Sequence, residues 1–457
     1  MTSISETIAA AISSISLDDV PETVQLRARH LMLDSVGVGI AASTSAFAEV
    51  ALEGLSTLGS GDVPVIGSAS TLSKSGAAIA NGLMIHGHDF DDTHIAAVSH
   101  VSASSLAAVI SAGAGNESIS FGDLLLGYIL AIEVNARLGM AVDGRFHDKG
   151  FHPTGVLGAF GSAIGVGKLH DLNARQLVAA QGIAGSFSSG VLQFLDEGTP
   201  TKRLHPGWAA NSGLHAAALA ASGFDGPTEI YEGRFGLYRT HIQDAEAPDT
   251  ELFDNLGEVW EVDNVAVKPF PTCHFTHSFI DIALRLREDP SFDYDKIETI
   301  TAKIHEVPGK VVCEPVEDKL RPRGEYDAKF SLPYLTTAAL KHGKITFSEL
   351  EESARSDDQV LAAAALVTVE HDPASLYPKA FSGDLAITLK DGTVLHESEQ
   401  INRGHESRPL TNSEVVAKFS DCADPILGAQ RAESIRSTIT DAPLERTASE
   451  IIGEFSG

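Results

Sequence analysis

The segment His86-Gly87-His88-Asp89-Phe90-Asp91-Asp92-Thr93-His94, followed by His100, gathers imidazoles and carboxylates in a neighbourhood built otherwise from Ala, Gly, Ser, Ile and Leu. Titratable groups are costly to take out of water without partners. Such a cluster beside apolar helical sequence therefore marks a lined cleft, with proton transfer or metal binding as its chemistry. Two metal readings are open. His86 and His88 with Asp91 and Asp92 approach the HxHxDH ligand set of metallo-hydrolases, although Phe90 stands where the first Asp belongs and Ala78 to Met84 reads as helix, not strand. Alternatively, His88-Asp89 is the doublet of a helical, metal-dependent phosphohydrolase with His30 as an outer ligand. A capped, solvated loop between two helices is the non-chemical alternative.

Three further positions invite the same question. In Gly150-Phe151-His152-Pro153-Thr154, Gly150 permits a turn and Pro153 suits a first helical position. His152 then sits at a helix entrance, where free backbone N–H groups favour an anion. Lys202 lies in the breaker-rich run Gly198-Thr199-Pro200-Thr201-Lys202-Arg203-Leu204-His205-Pro206-Gly207, with ordinary surface exposure as the alternative to binding. Lys268 stands in Val267-Lys268-Pro269-Phe270-Pro271-Thr272-Cys273-His274-Phe275-Thr276-His277, stiffened by two prolines. With Pro271 opening a helix, Cys273 and His277 share one face at i,i+4 spacing, with His274 beside them. A lysine in a partly closed crevice beside other cations has its neutral form favoured, which makes an amine a usable base.

The elements that must hold these groups follow from periodicity. From Glu6 to about Gly223 the chain reads as successive helices, including Ser73 to Ile85, Val101 to Ala114, Phe121 to Val142, Pro153 to Lys168 and Gly207 to Ala221. Their many small residues let helix axes approach closely. The character changes near Asn264. Ile297 to Ile304 and Leu385 to Leu389 alternate, Lys390-Asp391-Gly392-Thr393 is a hairpin turn before Val394, and helices intervene at Pro271 to Leu286 and Leu332 to His342. Asn412, Ala429 to Thr440 and Leu444 to Phe455 restart helices. The expectation is a mainly α protein, with a large all-helical domain over 1–267 and 408–457 and a smaller α+β domain over 268–407.

Composition narrows the function classes. A 457-residue chain with 43% hydrophobic residues is long for one core. Against 62 Asp and Glu stand 33 Lys and Arg, a net charge of -29 that repels phosphate backbones and anionic membrane surfaces. No nucleic acid or membrane partner is expected, whereas a small anion in a locally cationic cleft is. Cys273, Cys313 and Cys422 form no CxxC pair, the N-terminus lacks a basic targeting region, and no apolar run is long enough to span a bilayer, which points to the cytoplasm. Gly165-Val166-Gly167-Lys168 lacks the Walker spacing, and Gly158, Gly161 and Gly165 fall inside a helix, so no nucleotide cofactor has a foothold.

Taken together, five blocks resemble the MmgE/PrpD family, whose members include 2-methylcitrate dehydratases, cis-aconitate decarboxylases and iminodisuccinate epimerase. They are Asp89-Phe90-Asp91-Asp92-Thr93-His94, Gly150-Phe151-His152-Pro153-Thr154, Lys202 with Leu204-His205, Lys268-Pro269-Phe270-Pro271 with His277, and Ala328-Lys329-Phe330-Ser331-Leu332-Pro333-Tyr334. The resemblance implies a cofactor-free, metal-free homodimer whose α+β domain acts as a lid over a pocket between the domains. It also implies pocket residues Asp89, Thr93, His100, His152, Lys202 and Lys268. Two departures stand out: Val101-Ser102 follows His100, and Cys273, with His274 beside it, occupies the position of the decarboxylases' catalytic histidine. The implied activity is acid-base chemistry at a carbon next to a carboxylate of a di- or tricarboxylate. Asp89, His100, His152 and Lys268 would serve as catalytic groups, and Thr93, Lys202, Cys273, His274 and His277 would contact the substrate. Epimerisation of iminodisuccinate or a related diacid is the alternative within the family.

Overall fold

The computed structural model describes residues 2–243 and 248–457. The chain is mainly α, with a smaller α+β region. It divides into two compact units. The first runs to Leu192, resumes over Thr201–Val267 and returns over Thr411–Gly457; the second comprises Gln193–Pro200 and Lys268–Leu410.

The first unit is built from α1 (Glu22–Ala42), α2 (Lys74–His86), α3 (Val101–Gly113), α4 (Phe121–Met140), α5 (Pro153–Leu169) and α6 (His205–Ala221), with shorter helices around them. Local chemistry sets their starts. Ser73 caps α2 by accepting from the Gly76 N–H, Ser120 and Asp123 form a capping box on α4, and Pro153 opens α5. Every residue of α3 is buried, so small side chains are needed on all of its faces. Gly82 of α2 meets Gly207 of α6 so closely that a Cβ on Gly207 would lie 2.2 Å from the Ile79 carbonyl oxygen. That contact draws together the C-terminal end of α2, at His86, and the N-terminal end of α6, at His205. The helix Asn412–Leu427 packs along α1. Two short strands, β1 (Thr93–His94) and β2 (Val265–Ala266), pair antiparallel in the register Thr93↔Ala266.

The expected Leu444 to Phe455 helix is shorter than its apolar pattern, spanning Ala448–Gly453. The Leu444 and Arg446 carbonyls instead accept from the N–H groups of Gly122 and Phe121, at the start of α4. No single helix among the described residues is long and apolar enough to cross a membrane. Helix α1 passes such a test only jointly with Ala46–Ser56, across a 91° bend.

The second unit carries a four-stranded sheet in the order β4-β3-β5-β6, from β3 (Ile297–Ile304), β4 (Val367–His371), β5 (Gly383–Leu389) and β6 (Val394–Glu399). β3 runs parallel to β4 and antiparallel to β5. The β5–β6 hairpin turns where Gly392 takes φ 87°, a conformation glycine adopts without penalty. Helix α7 (His277–Leu286) covers β5 and β6, and α8 (Leu332–His342) packs on α7.

One expected element is corrected here. Pro271 does not open a helix; α7 begins at His277, after a 3-10 turn over His274–Thr276. The Cys273 N–H donates to the Lys329 carbonyl (2.9 Å), and the Lys329 ammonium donates to the Pro271 carbonyl (3.2 Å). The Pro271 carbonyl, which a helix would use, is thus engaged by a distant segment. Cys273 and His277 do not share a helix face.

Candidate active site

At the C-terminal end of α2 the chain makes a tight turn that places Asp89 at φ 52°, a left-handed conformation that costs a non-glycine residue energy and clusters at functional sites. Arg203 supports the turn: its Nε donates to the Gly87 carbonyl (2.7 Å), and its guanidinium lies over the Phe47 ring. From three residues before α6, the Lys202 ammonium donates to Asp89 Oδ1 at 2.8 Å, with both side chains buried. Lysine is therefore at the site, not at the surface.

His100 is the residue preceding α3, and its backbone N–H donates to Thr154 Oγ1 in the first turn of α5 (3.0 Å). Its Nδ1 donates to the Asp92 carbonyl (2.9 Å), which leaves Nε2 of the neutral ring as the basic nitrogen. That Nε2 lies 3.6 Å from Asp89 Oδ1, and Asp91 Oδ2 lies 3.4 Å from Nδ1. Carboxylates on both sides compensate the charge of an imidazolium formed there. Val98, a β-branched residue at φ 52°, stores strain in the loop that delivers His100. His152 directly precedes α5, as the proline pattern implies, and hydrogen-bonds through Nδ1 to His205 Nδ1 at 3.0 Å. The first turns of α3 and α5 thus both begin at this cluster.

His86, at the end of α2, completes the arrangement. It donates from Nδ1 to Asp91 (2.8 Å), meets the His100 ring edge-on at 4.6 Å between centroids, and stacks on His152 at 5.5 Å. Its Nε2 is buried with no hydrogen-bond partner among the described residues. Burial, opposed by Asp91, pushes the His86 pKa down to about 4. For Asp91, burial is outweighed by His86 and His100, which hold it well below the usual carboxylate range and hence ionised. Burial, with the charges of His205, Lys202, His86 and His100 adding to it, keeps His152 neutral.

Beneath His100 lies a second polar layer. Asp92 accepts from the Ser102 hydroxyl and from the Ser102 N–H (3.2 Å), and Ser102 Oγ is 2.5 Å from the Tyr128 hydroxyl. Burial raises Asp92 to about 7 despite the Ser102 hydrogen bonds. The neighbouring Asp34 pairs with Lys418 at 2.7 Å. The Thr93 hydroxyl, on β1, is buried without a hydrogen-bond partner among the described residues.

Lys268, Cys273, His274 and His277 belong to the second unit, and all are buried. His274 accepts from Asn402 Nδ2 (2.9 Å), His277 Nε2 donates to the Thr272 carbonyl (3.2 Å), and the two rings lie 4.6 Å apart.

One ligand atom each from His86, Asp89, Asp91 and His100 lie within 4.8 Å of one another, as do ring nitrogens of His86, His100 and His152. Neutral imidazoles and carboxylates are a donor set that a divalent cation accepts. Lys202 already occupies Asp89 with a positive charge. The two metal readings share His86 and Asp91, or Asp89, with this cluster, but their remaining ligands lie elsewhere. His30 Nδ1 bonds its own helix at the Leu26 carbonyl, His88 Nε2 faces Ser45 Oγ (3.3 Å), and Asp92 is taken by Ser102.

Profiles for the MmgE/PrpD N-terminal domain and the MmgE/PrpD C-terminal domain match residues 6–249 and 270–442. The chain belongs to the MmgE/PrpD family. It is similar to cis-aconitate decarboxylase of Mus musculus, with 29% identity over 456 residues, covering 96% of this chain and 90% of that protein. It is similar to cis-aconitate decarboxylase of Homo sapiens, at 30% identity over 450 residues, covering 95% and 90%. A cis-aconitate decarboxylase-like protein of Aspergillus oryzae, oryM, is 24% identical over 466 residues, covering 98% and 96%.

In this MmgE/PrpD chain, Asp89, His100, His152 and Lys202 come together from four separate stretches. The sequence offers His86, Asp91 and Asp92 only as metal ligands, not as acid-base groups, and gives His205 no role of its own. His86 carries a faint signal, five residues before Asp91, and His205 stands in the same motif as Lys202; nothing local distinguishes either from a capping residue.

Imidazoles in and beside the cluster make stability depend on pH. His86, His147 and His205 are each pushed down to about 4 chiefly by burial. Below about 6.5 the unfolded chain protonates them while the folded chain does not. Each therefore adds stability as pH rises from about 4 to about 6.5. Asp92 and Glu133, raised to about 7 by burial, act in the opposite sense over about 4 to 7, because the folded state keeps protons that the unfolded state has lost. The histidines, joined by His152, outnumber these carboxyls. The thermal midpoint should climb between about pH 4.5 and 6.5. A flat or falling midpoint in calorimetry would contradict neutral imidazoles.

Proposed function

We propose that this MmgE/PrpD chain is a cofactor-independent lyase acting on a di- or tricarboxylate of the cis-aconitate or 2-methylcitrate type. The observation that carries the reading is the buried Asp89–Lys202 pair with His100 Nε2 beside it, in a chain similar over nearly its whole length to cis-aconitate decarboxylases. Breaking a bond next to a carboxylate leaves negative charge that fixed positive groups and helix N-termini stabilise. Lys202 and the start of α5 at His152 hold a substrate carboxylate, and Thr93 bonds a substrate oxygen. His100 exchanges a proton with carbon through Nε2, Asp89 orients Lys202 and compensates the imidazolium, and Lys268 is the partner acid or base. Cys273, His274 and His277 are the further substrate-contacting candidates. If carbon dioxide leaves, the carbon–carbon electron pair stays on carbon and one proton is added there. If water leaves, the proton lost from carbon balances the hydroxide that is expelled.

The test is a panel of cis-aconitate, 2-methylcitrate, citrate and iminodisuccinate incubated in heavy water and followed by NMR. Loss of carbon dioxide or water supports the lyase. Inversion without loss supports the alternative epimerase, which the presence of Cys273 in place of a histidine keeps in view. If none of the four acids loses carbon dioxide or water, inverts or takes up solvent deuterium, acid-base chemistry on this substrate class is overturned.

Two finer features belong to the same reading. Leu204, just before α6, and Trp208 and Leu219 on it are exposed, which supports a homodimer despite the chain's net charge of -29. Trp208→Glu should shift the sedimenting species from dimer to monomer; an unchanged dimer removes this face from consideration. Cys273, Cys313 and Cys422 are thiols, which supports a reducing compartment such as the cytoplasm.

A further inference from the structure

We infer that His205 and His152 form a proton relay that connects His100 with solvent. The inference rests on the proposed acid-base reading of the site. Three imidazoles stand in series. His100 is buried, and one of its ring nitrogens lies within 4.8 Å of a ring nitrogen of His152, a separation that a single water or a small ring rotation closes. His152 is buried and shares a 3.0 Å Nδ1···Nδ1 hydrogen bond with His205. His205, in the first turn of α6, is only half-buried.

Two Nδ1 atoms at hydrogen-bond distance hold one proton between them, so one ring is an Nδ1–H donor and the other an acceptor. A proton arriving at Nε2 of one ring can leave from its Nδ1 to the other, and from there through the second ring's Nε2. Each transfer breaks one N–H bond and forms another, with no net change of charge. The groups facing this pair favour passage over storage. Lys202, His86 and His100 bear on His152, Lys202 and His86 bear on His205, and all are cationic or potentially so. Neither ring holds a proton for long.

The fold maintains the pair on both sides. The His152 N–H donates to the Gly190 carbonyl (2.9 Å), and a Cβ on Gly155 would lie 2.4 Å from the Ser189 carbonyl oxygen and 3.2 Å from the His205 Cβ. A closely packed glycine thus brings the start of α6 against the start of α5. The chemistry gives the relay a purpose. Release of carbon dioxide consumes one proton at carbon in each turnover, and His100 must be recharged from water before the next.

The test compares wild type with His205→Ala and His205→Asn, using cis-aconitate as the probe. The expected result is a kcat lowered by at least about tenfold with KM little changed, and a rate that recovers as free imidazole is added. Wild type should not respond to imidazole. An unchanged kcat, or a loss that imidazole fails to restore, overturns the relay. His205→Asn keeps a hydrogen-bonding group toward His152 and serves where the alanine variant does not fold. Turnover by wild type with no defect in the variants sinks the relay alone; no turnover by wild type on any acid of the panel sinks the functional reading and the relay with it.

Discussion

Lys202→Met is expected to abolish turnover and to lower the unfolding free energy by about 3–5 kcal/mol, the usual cost of leaving one member of a buried ion pair without its partner. Asp89 and Lys202 are both buried and 2.8 Å apart, so methionine strands a carboxylate in a region already holding the ionised Asp91. The chain can respond by protonating Asp89, by charging His100, whose Nε2 lies 3.6 Å from Asp89 Oδ1, or by admitting water. The double variant Asp89→Asn with Lys202→Met removes both charges and should regain most of the lost stability while remaining inactive. Chemical denaturation of the two variants checks this. Equal stability of the single variant and wild type would mean that the pair is solvated and does not organise the site.

The second large effect concerns proton transfer itself. His100→Ala and Lys268→Ala should each reduce kcat by about a hundredfold or more, the scale on which a positioned acid or base contributes. For His100 the physical basis is its tautomer: Nδ1 is committed to the Asp92 carbonyl, so only Nε2 can exchange a proton. Asp92→Asn provides a sharper comparison: asparagine resembles the protonated carboxyl that burial favours by raising Asp92 to about 7, and kcat should stay near wild type. Steady-state kinetics on whichever acid of the panel is turned over decides the matter. Wild-type turnover by either alanine variant removes that residue's proposed role.

The two effects have different origins, and the chain makes only part of each legible. Pro153 and Gly150 announce a helix entrance at His152, and Gly392 announces the β5–β6 turn, because each requirement is local to a few backbone dihedrals. The same style of reasoning fails at Pro271. There the backbone is engaged by Lys329, fifty-eight residues away from the proline in sequence, and no propensity for helix competes with that anchoring. It fails also for His86, whose role depends on three partners reaching it from β1's approach, α3 and α5.

What the amino-acid sequence determined by itself is the mainly α class, the family, and the residue types available for acid-base work, since periodicity, capping chemistry and ordered motifs are written along the chain. Tertiary structure alone decided which of those residues share a charge or a proton. Lys202 reaches Asp89 across 113 positions, and His205 reaches His152 across 53. Such pairings depend on close helix contacts like that of Gly82 with Gly207, where the absence of two side chains lets distant segments meet. The physical reason is one of range: hydrogen bonds and ion pairs act over a few ångströms in space, whereas local preference extends only a few residues along the backbone.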